Sequence, residues 1–101
     1  MYTKHRVTLM NTTLDNALCR LNDAAPFSFR QRLAVRLCLI VPRWHKELER
    51  TLTEAATKAG AIDPQASKGG VFQGNWEEVF DWIWEHRQEI LEFVMTIISL
   101  F

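Results

Sequence analysis

From Trp76 to Phe101 the chain holds neither glycine nor proline, whereas all four glycines and Pro64 fall within residues 60–74. Glycine and proline are the residues that most strongly interrupt a helix. One segment is therefore free to propagate a helix for 26 residues, and the segment before it is marked as a loop. Asn75 supplies a capping side chain, Glu78 stands three residues on, and Glu77, Glu78 and Asp81 suit the positive end of a helix dipole. At roughly 1.5 Å per residue an unbroken helix over 76–101 would be about 39 Å long.

The same reasoning places helices upstream. Thr12 with Asp15 resembles a capping box, and Leu14, Ala17, Leu18 and Leu21 then recur at helical spacing. Pro26 closes this segment near Asp23. Residues Met1 to Asn11 show no clear period and read as an arm. Ser28 and Gln31 form a second capping box, with Phe27 placed to staple onto the turns that follow. Leu33, Leu37, Val41, Trp44, Leu48, Leu52 and Ala55 then trace one apolar stripe toward Gly60, which fits a C-terminal cap after Lys58. Pro42 lies inside this stripe, so it either kinks one long helix or opens a new one. The stripe keeps its phase across Pro42, which favours a kinked or barely interrupted helix.

The expectation is an all-α fold, a small bundle of three to four helices with a long C-terminal amphipathic helix. A single domain spans 1–101, with helices at about 12–23, 29–59 (kinked or broken near Pro42) and 76–101 and a loop over 60–75. A chain of 101 residues with 48% hydrophobic and 24% charged residues suits one modest core.

The net charge is zero, yet its distribution is uneven. Between Ser28 and Arg50 six basic residues stand against Glu47 and Glu49, a balance of +4. Arg32, Arg36, Arg43, Lys46 and Arg50 project onto one face at about 100° per residue. From Asn75 to Phe101 six acidic residues stand against Arg87, a balance of −5, with Glu78, Asp81, Glu85, Glu89 and Glu92 on one face. Opposed stripes suggest contact within one molecule or between copies, whereas the plainer account is two solvated helix faces.

On the same projection Trp76, Val79, Phe80, Ile83, Ile90, Leu91, Val94, Ile97, Ile98 and Phe101 cover about half the last helix, wider than one buried stripe needs. Trp84 and Met95 lie at the margin, and Trp82 points toward the polar flank. Arg87 interrupts an otherwise apolar seven-residue rhythm and is expected to reach solvent or a carboxylate.

Signals for chemistry are weak. His5, His45 and His86 are far apart, and no Glu-x-x-His, His-x-x-x-His or Cys-x-x-Cys spacing occurs. Cys19 and Cys38 have no neighbouring histidine and read as packing residues. Gly69-Gly70 lacks the strand before it and the Lys-Ser/Thr after it that a phosphate loop requires. Catalytic, cofactor and metal sites are therefore not expected, and neither is enzymatic activity.

The function expected is a protein-interaction or assembly module, associating with itself or another chain. Its candidate interface combines Arg32, Arg36, Arg43, Lys46 and Arg50 with Trp82, Trp84, Glu85, Glu89, Glu92, Ile90, Val94, Ile97 and Phe101. Peripheral membrane attachment through the C-terminal helix is an alternative, weakened by that helix's acidic polar face. Nucleic-acid binding through the basic stripe is another, opposed by the acidic helix. Met1 to Met10 lacks a signal-peptide core and the two cysteines make no disulfide scaffold, so the expected setting is the cytoplasm.

Overall fold

The structure, a computed structural model, describes residues 13–100. The expected arm over 1–11, the cap at Thr12 and the candidate interface residue Phe101 lie outside the described residues. Among the described residues five α-helices carry the fold: α1 (Thr13–Ala24), α2 (Phe29–Ile40), α3 (Pro42–Lys58), α4 (Phe80–Glu85) and α5 (Arg87–Leu100). The fold is predominantly helical, with more and shorter helices than the three to four expected.

Ser28 caps α2 as its sequence requires. Its hydroxyl accepts from Gln31 N, and Gln31 Oε1 accepts from Ser28 N at 2.8 Å. Phe27, just before, is buried in the core. The turn joining α1 to α2 is strapped by Arg32, whose guanidinium donates to Phe27 O at 3.2 Å and Ala25 O at 3.3 Å.

Pro42 starts a new helix instead of kinking an old one. It stands at the first position of α3, where its missing N–H goes unneeded. Its ring disfavours the α region for the residue before it, and Val41 is extended at φ −79°, ψ 116°. A single extended residue resets the phase of the apolar stripe. Leu48 and Leu52 of α3 are fully buried, but Leu33 and Leu37 of α2 are exposed. The core face of α2 is formed instead by Ala34, Val35 and Cys38.

Gly60 ends α3 at φ 78°, and Ala61 N donates back to Ala56 O at 2.9 Å, a Schellman-type closure. The segment expected as loop contains more order than that. A 3-10 turn (Pro64–Ala66) leads into a two-stranded antiparallel hairpin, β1 (Ser67–Lys68) and β2 (Val71–Phe72). Gly69 and Gly70 have φ of 64° and 83°, the paired positive values that a tight two-residue hairpin turn demands. The buried Thr53 hydroxyl pins the hairpin to α3, donating to Glu49 O at 2.8 Å and accepting from Phe72 N at 3.0 Å. Phe72 then meets Trp76 edge-to-face, with ring centroids 5.1 Å apart.

The expected continuous rod over 76–101 is broken twice. Trp76–Val79 is a 3-10 turn capped by Asn75, whose side chain accepts from Glu77 N at 2.9 Å. After α4 the chain leaves helical geometry at His86, φ −107°, ψ 24°. His86 N still donates to Trp82 O at 3.0 Å, and side chains add donors to the last carbonyls of α4. His86 Nδ1 donates to Trp82 O at 2.9 Å and Arg87 Nη1 to Trp84 O at 2.8 Å. Arg87 thus neither reaches for a carboxylate nor simply escapes to solvent, and its guanidinium lies over the Trp84 ring, 4.6 Å from the centroid.

The core is shared among all these elements. Leu14, Leu18 and Leu21 from α1, Leu48 and Leu52 from α3, Trp76, Ile83 from α4, and Ile90 and Val94 from α5 are essentially inaccessible. α5 packs against both α2 and α3, while α1 packs against α2, α4 and the 76–79 turn. No helix among the described residues is long and apolar enough to cross a membrane.

Candidate functional site

The breadth of the last helix's apolar face has a simple resolution. Ile90, Leu91, Val94 and Ile97 are buried by the chain's own helices, with Phe93 and Ile98 packed half-buried beside them. Gln88, Glu89, Glu92, Thr96 and Ser99 face solvent, joined by Met95 and Leu100. Ile90, Val94 and Ile97, expected at an interface, therefore present nothing to a partner in this fold. Trp82 and Trp84 are also largely engaged within the molecule. Trp82 stacks on His86 with centroids 4.7 Å apart, and Trp84 is flanked by Phe80 and Arg87.

The two charged stripes do not meet. Among the described residues the ion pairs are His45–Asp15 at 2.6 Å and Lys58–Glu54 at 3.4 Å, and neither links the stripes. Arg36, Arg43, Lys46 and Arg50 are exposed, as are Glu78, Asp81, Glu85, Glu89 and Glu92. Arg32 is half-buried and committed to the carbonyls of Ala25 and Phe27.

Among the described residues, exposed large apolar side chains cluster on the outer face of α2. Phe29 is 80% exposed, Leu33 46%, Leu37 36% and Ile40 71%. At about 100° per residue these four fall within an arc of about 80°, opposite Val35 and Cys38, with Ala34 between the two faces. α2 is thus apolar on both its inner and outer sides. The small residues Ala34 and Cys38 let it sit close to the core, while the large ones point away. Arg36 borders one edge of the outer arc and Arg30 the other, both exposed. Asp23, from the end of α1, lines the shallow cleft beside Phe29, Leu33 and Arg36. No acidic residue occurs from Ala24 to Lys46, so the neighbourhood of this ridge along the chain is uniformly cationic.

Phe29, Arg30 and Ile40 were absent from the residues that sequence patterning selects, and Leu33 and Leu37 were assigned to the core. Two signals bear on them: the acid-free run over residues 24–46, and the presence of apolar residues on both sides of the α2 projection.

Other clusters are built for structure. His45 on α3 clasps Asp15 on α1, with Glu49 one turn further along α3. Burial pushes the Glu49 carboxyl up, His45 opposes that, and Asp15 adds to it. Burial raises the Cys38 thiol to about 11, and burial with Asp15 and Asp23 raises Cys19 against the opposing pull of Arg36. Both thiols are held in the weakly nucleophilic, protonated form. Among the described residues no three His, Cys, Asp or Glu side chains converge in a way that would hold a metal ion. A cleft of about 710 Å³ opens between α3 and the hairpin and mixes Glu47 and Glu54 with Arg50 and Lys58. Such alternating charge around threonine hydroxyls provides neither a nucleophile with its base nor a field of one sign.

No family model, no curated protein and no solved structure matches the chain.

Proposed function

We propose that this chain is a non-enzymatic attachment module, whose helical core holds the outer face of α2 against a second surface. The observation that carries the reading is the four-residue ridge of Phe29, Leu33, Leu37 and Ile40, left in solvent on one helix face, whereas the other exposed large apolar side chains among the described residues are Met95 and Leu100. Single exposed apolar residues are ordinary, but an aligned set on one helix face marks a contact surface. The arginines at its edges supply orientation and charge preference more than raw affinity. The interaction role expected from sequence is retained, but its seat moves from the C-terminal helix to α2.

An anionic hydrophobic dye such as 1-anilinonaphthalene-8-sulfonate tests this reading. The native chain should enhance its fluorescence, and Leu33→Ser/Ile40→Ser should remove most of that signal while keeping the native circular-dichroism spectrum and costing about 1–2 kcal/mol of stability. Dye binding retained in full by the double variant would refute the assignment, as would collapse of the fold.

A further inference from the structure

The geometry of the α2 face points to an anionic lipid surface as its partner, an inference that rests on the attachment reading above. Three observations favour lipid over protein.

The first is shape. Phe29 and Ile40, the most exposed of the set, lie at the two ends of α2, eleven residues or about 16 Å apart. The set runs along a single helix, with Phe29 and Leu33 also edging the cleft that Asp23 lines. From the fractional exposures, its apolar area is on the order of 400 Å², about half of what one partner contributes to a standard protein interface. A fluid bilayer needs no matching groove, because a ridge sinks between headgroups and reaches the acyl boundary.

The second is charge. Arg30 and Arg36 flank the ridge on opposite edges, and Arg43 follows the helix break. A guanidinium fork matches phosphate geometry, and its stem lies along the apolar layer while its head stays at the phosphates. Asp23 is the nearby acid identified at the cleft, so the arginines outnumber it. The acidic side chains Glu89 and Glu92 sit on the solvent side of α5, whose inner side packs on α2. The objection that an acidic polar face opposes membrane attachment applied to the C-terminal helix and does not apply to α2.

The third is the failure of self-pairing. A two-fold contact of α2 with α2 would set Arg30 and Arg36 of one copy against those of the other, with no acid on this helix to relieve them. Since no described helix can span a bilayer, attachment is peripheral: α2 lies in the headgroup plane with the rest of the domain outside.

The test is flotation of the full chain with vesicles of phosphatidylcholine alone and of phosphatidylcholine mixed with phosphatidylserine. The chain should float with the anionic vesicles and remain behind with the neutral ones. Arg30→Gln/Arg36→Gln should lower the partition coefficient about thirtyfold, roughly fivefold for each charge removed near the surface. Phe29→Ser/Ile40→Ser should lower it at least tenfold. Glu89→Gln/Glu92→Gln should cause no loss. Equal partition into both vesicle types, or binding untouched by the α2 substitutions, would overturn the lipid assignment. Absence of flotation with dye binding intact would remove the lipid and leave the α2 face standing. If Phe29→Ser/Ile40→Ser then abolished concentration-dependent sedimentation, the occupant would be a second copy. Absence of both flotation and dye binding would end both readings.

Discussion

Truncating a leucine to alanine removes the same atoms wherever it is done, so a matched set of such changes reads burial directly. Leu48 and Leu52 on α3 are 0% exposed, whereas Leu33 and Leu37 on α2 are 46% and 36% exposed. Full burial of a leucine side chain stabilises by about 1.5–3 kcal/mol, and a fully enclosed site adds a cavity term. Leu48→Ala and Leu52→Ala should therefore destabilise by about 2–5 kcal/mol. Leu33 and Leu37 retain roughly half that transfer contribution and leave no closed cavity, and alanine is the better helix former. Leu33→Ala and Leu37→Ala should cost about 1 kcal/mol or less. Phe29→Ala and Ile40→Ala, at the most exposed sites, should stay within about 0.5 kcal/mol of the native chain. Equilibrium urea unfolding, followed by tryptophan fluorescence, gives these differences at constant slope. If Leu33→Ala matched Leu48→Ala, α2 would have to be rotated so that its outer ridge is core. The proposed contact surface would then not exist.

Thr53→Val keeps shape but removes the hydroxyl that joins Glu49 O to Phe72 N. Its cost should be about 2 kcal/mol by urea unfolding, with Thr53→Ser costing less because both hydrogen bonds survive. Glu49 holds its proton to higher pH in the folded chain than in the unfolded one, because burial disfavours its charge. Folding therefore loses stability as pH rises above the ordinary carboxylate value of 4.5, and Glu49→Gln should raise the thermal midpoint at neutral pH, the gain fading below that value. A midpoint unchanged by the substitution at neutral pH would contradict the burial penalty. In thiol titration at mildly alkaline pH, the exposed Cys19 should react in the native chain, and Cys38, buried and raised to about 11, only after unfolding. Equal native rates would contradict that placement.

Local signals were legible in the sequence where one residue acts on its own backbone. Ser28 with Gln31 gives the α2 start, Pro26 the end of α1, and Gly60 the end of α3. The phase of a stripe across Pro42 was not legible, because it depends on the torsion of Val41 and on which helix α2 meets. Periodicity joined Leu33 and Leu37 to Leu48 and Leu52, and one extended residue separated them. The hairpin follows from Gly69-Gly70, a pair that sequence patterning took as a loop marker and weighed as a phosphate loop, not as a hairpin turn. The interruption at His86 had no breaker residue to announce it. Side chains of His86 and Arg87 donate to the carbonyls of Trp82 and Trp84, beside the backbone bond that His86 N keeps to Trp82 O, an arrangement that spacing does not encode. For the same reason the broad apolar arc of the last helix looked unsatisfied in sequence. It is covered because α2 and α3 both pack on α5.

The central claim is that the outer face of α2 is where this chain meets its partner. Amide chemical shifts measured by heteronuclear NMR while anionic-detergent micelles are titrated into the labelled chain test it residue by residue. The largest changes should cluster at Phe29, Arg30, Leu33, Arg36, Leu37 and Ile40, with Ala34, Val35 and Cys38 shifting less and α5 nearly still. Changes centred on Met95 to Leu100, or spread evenly through the chain, would contradict it.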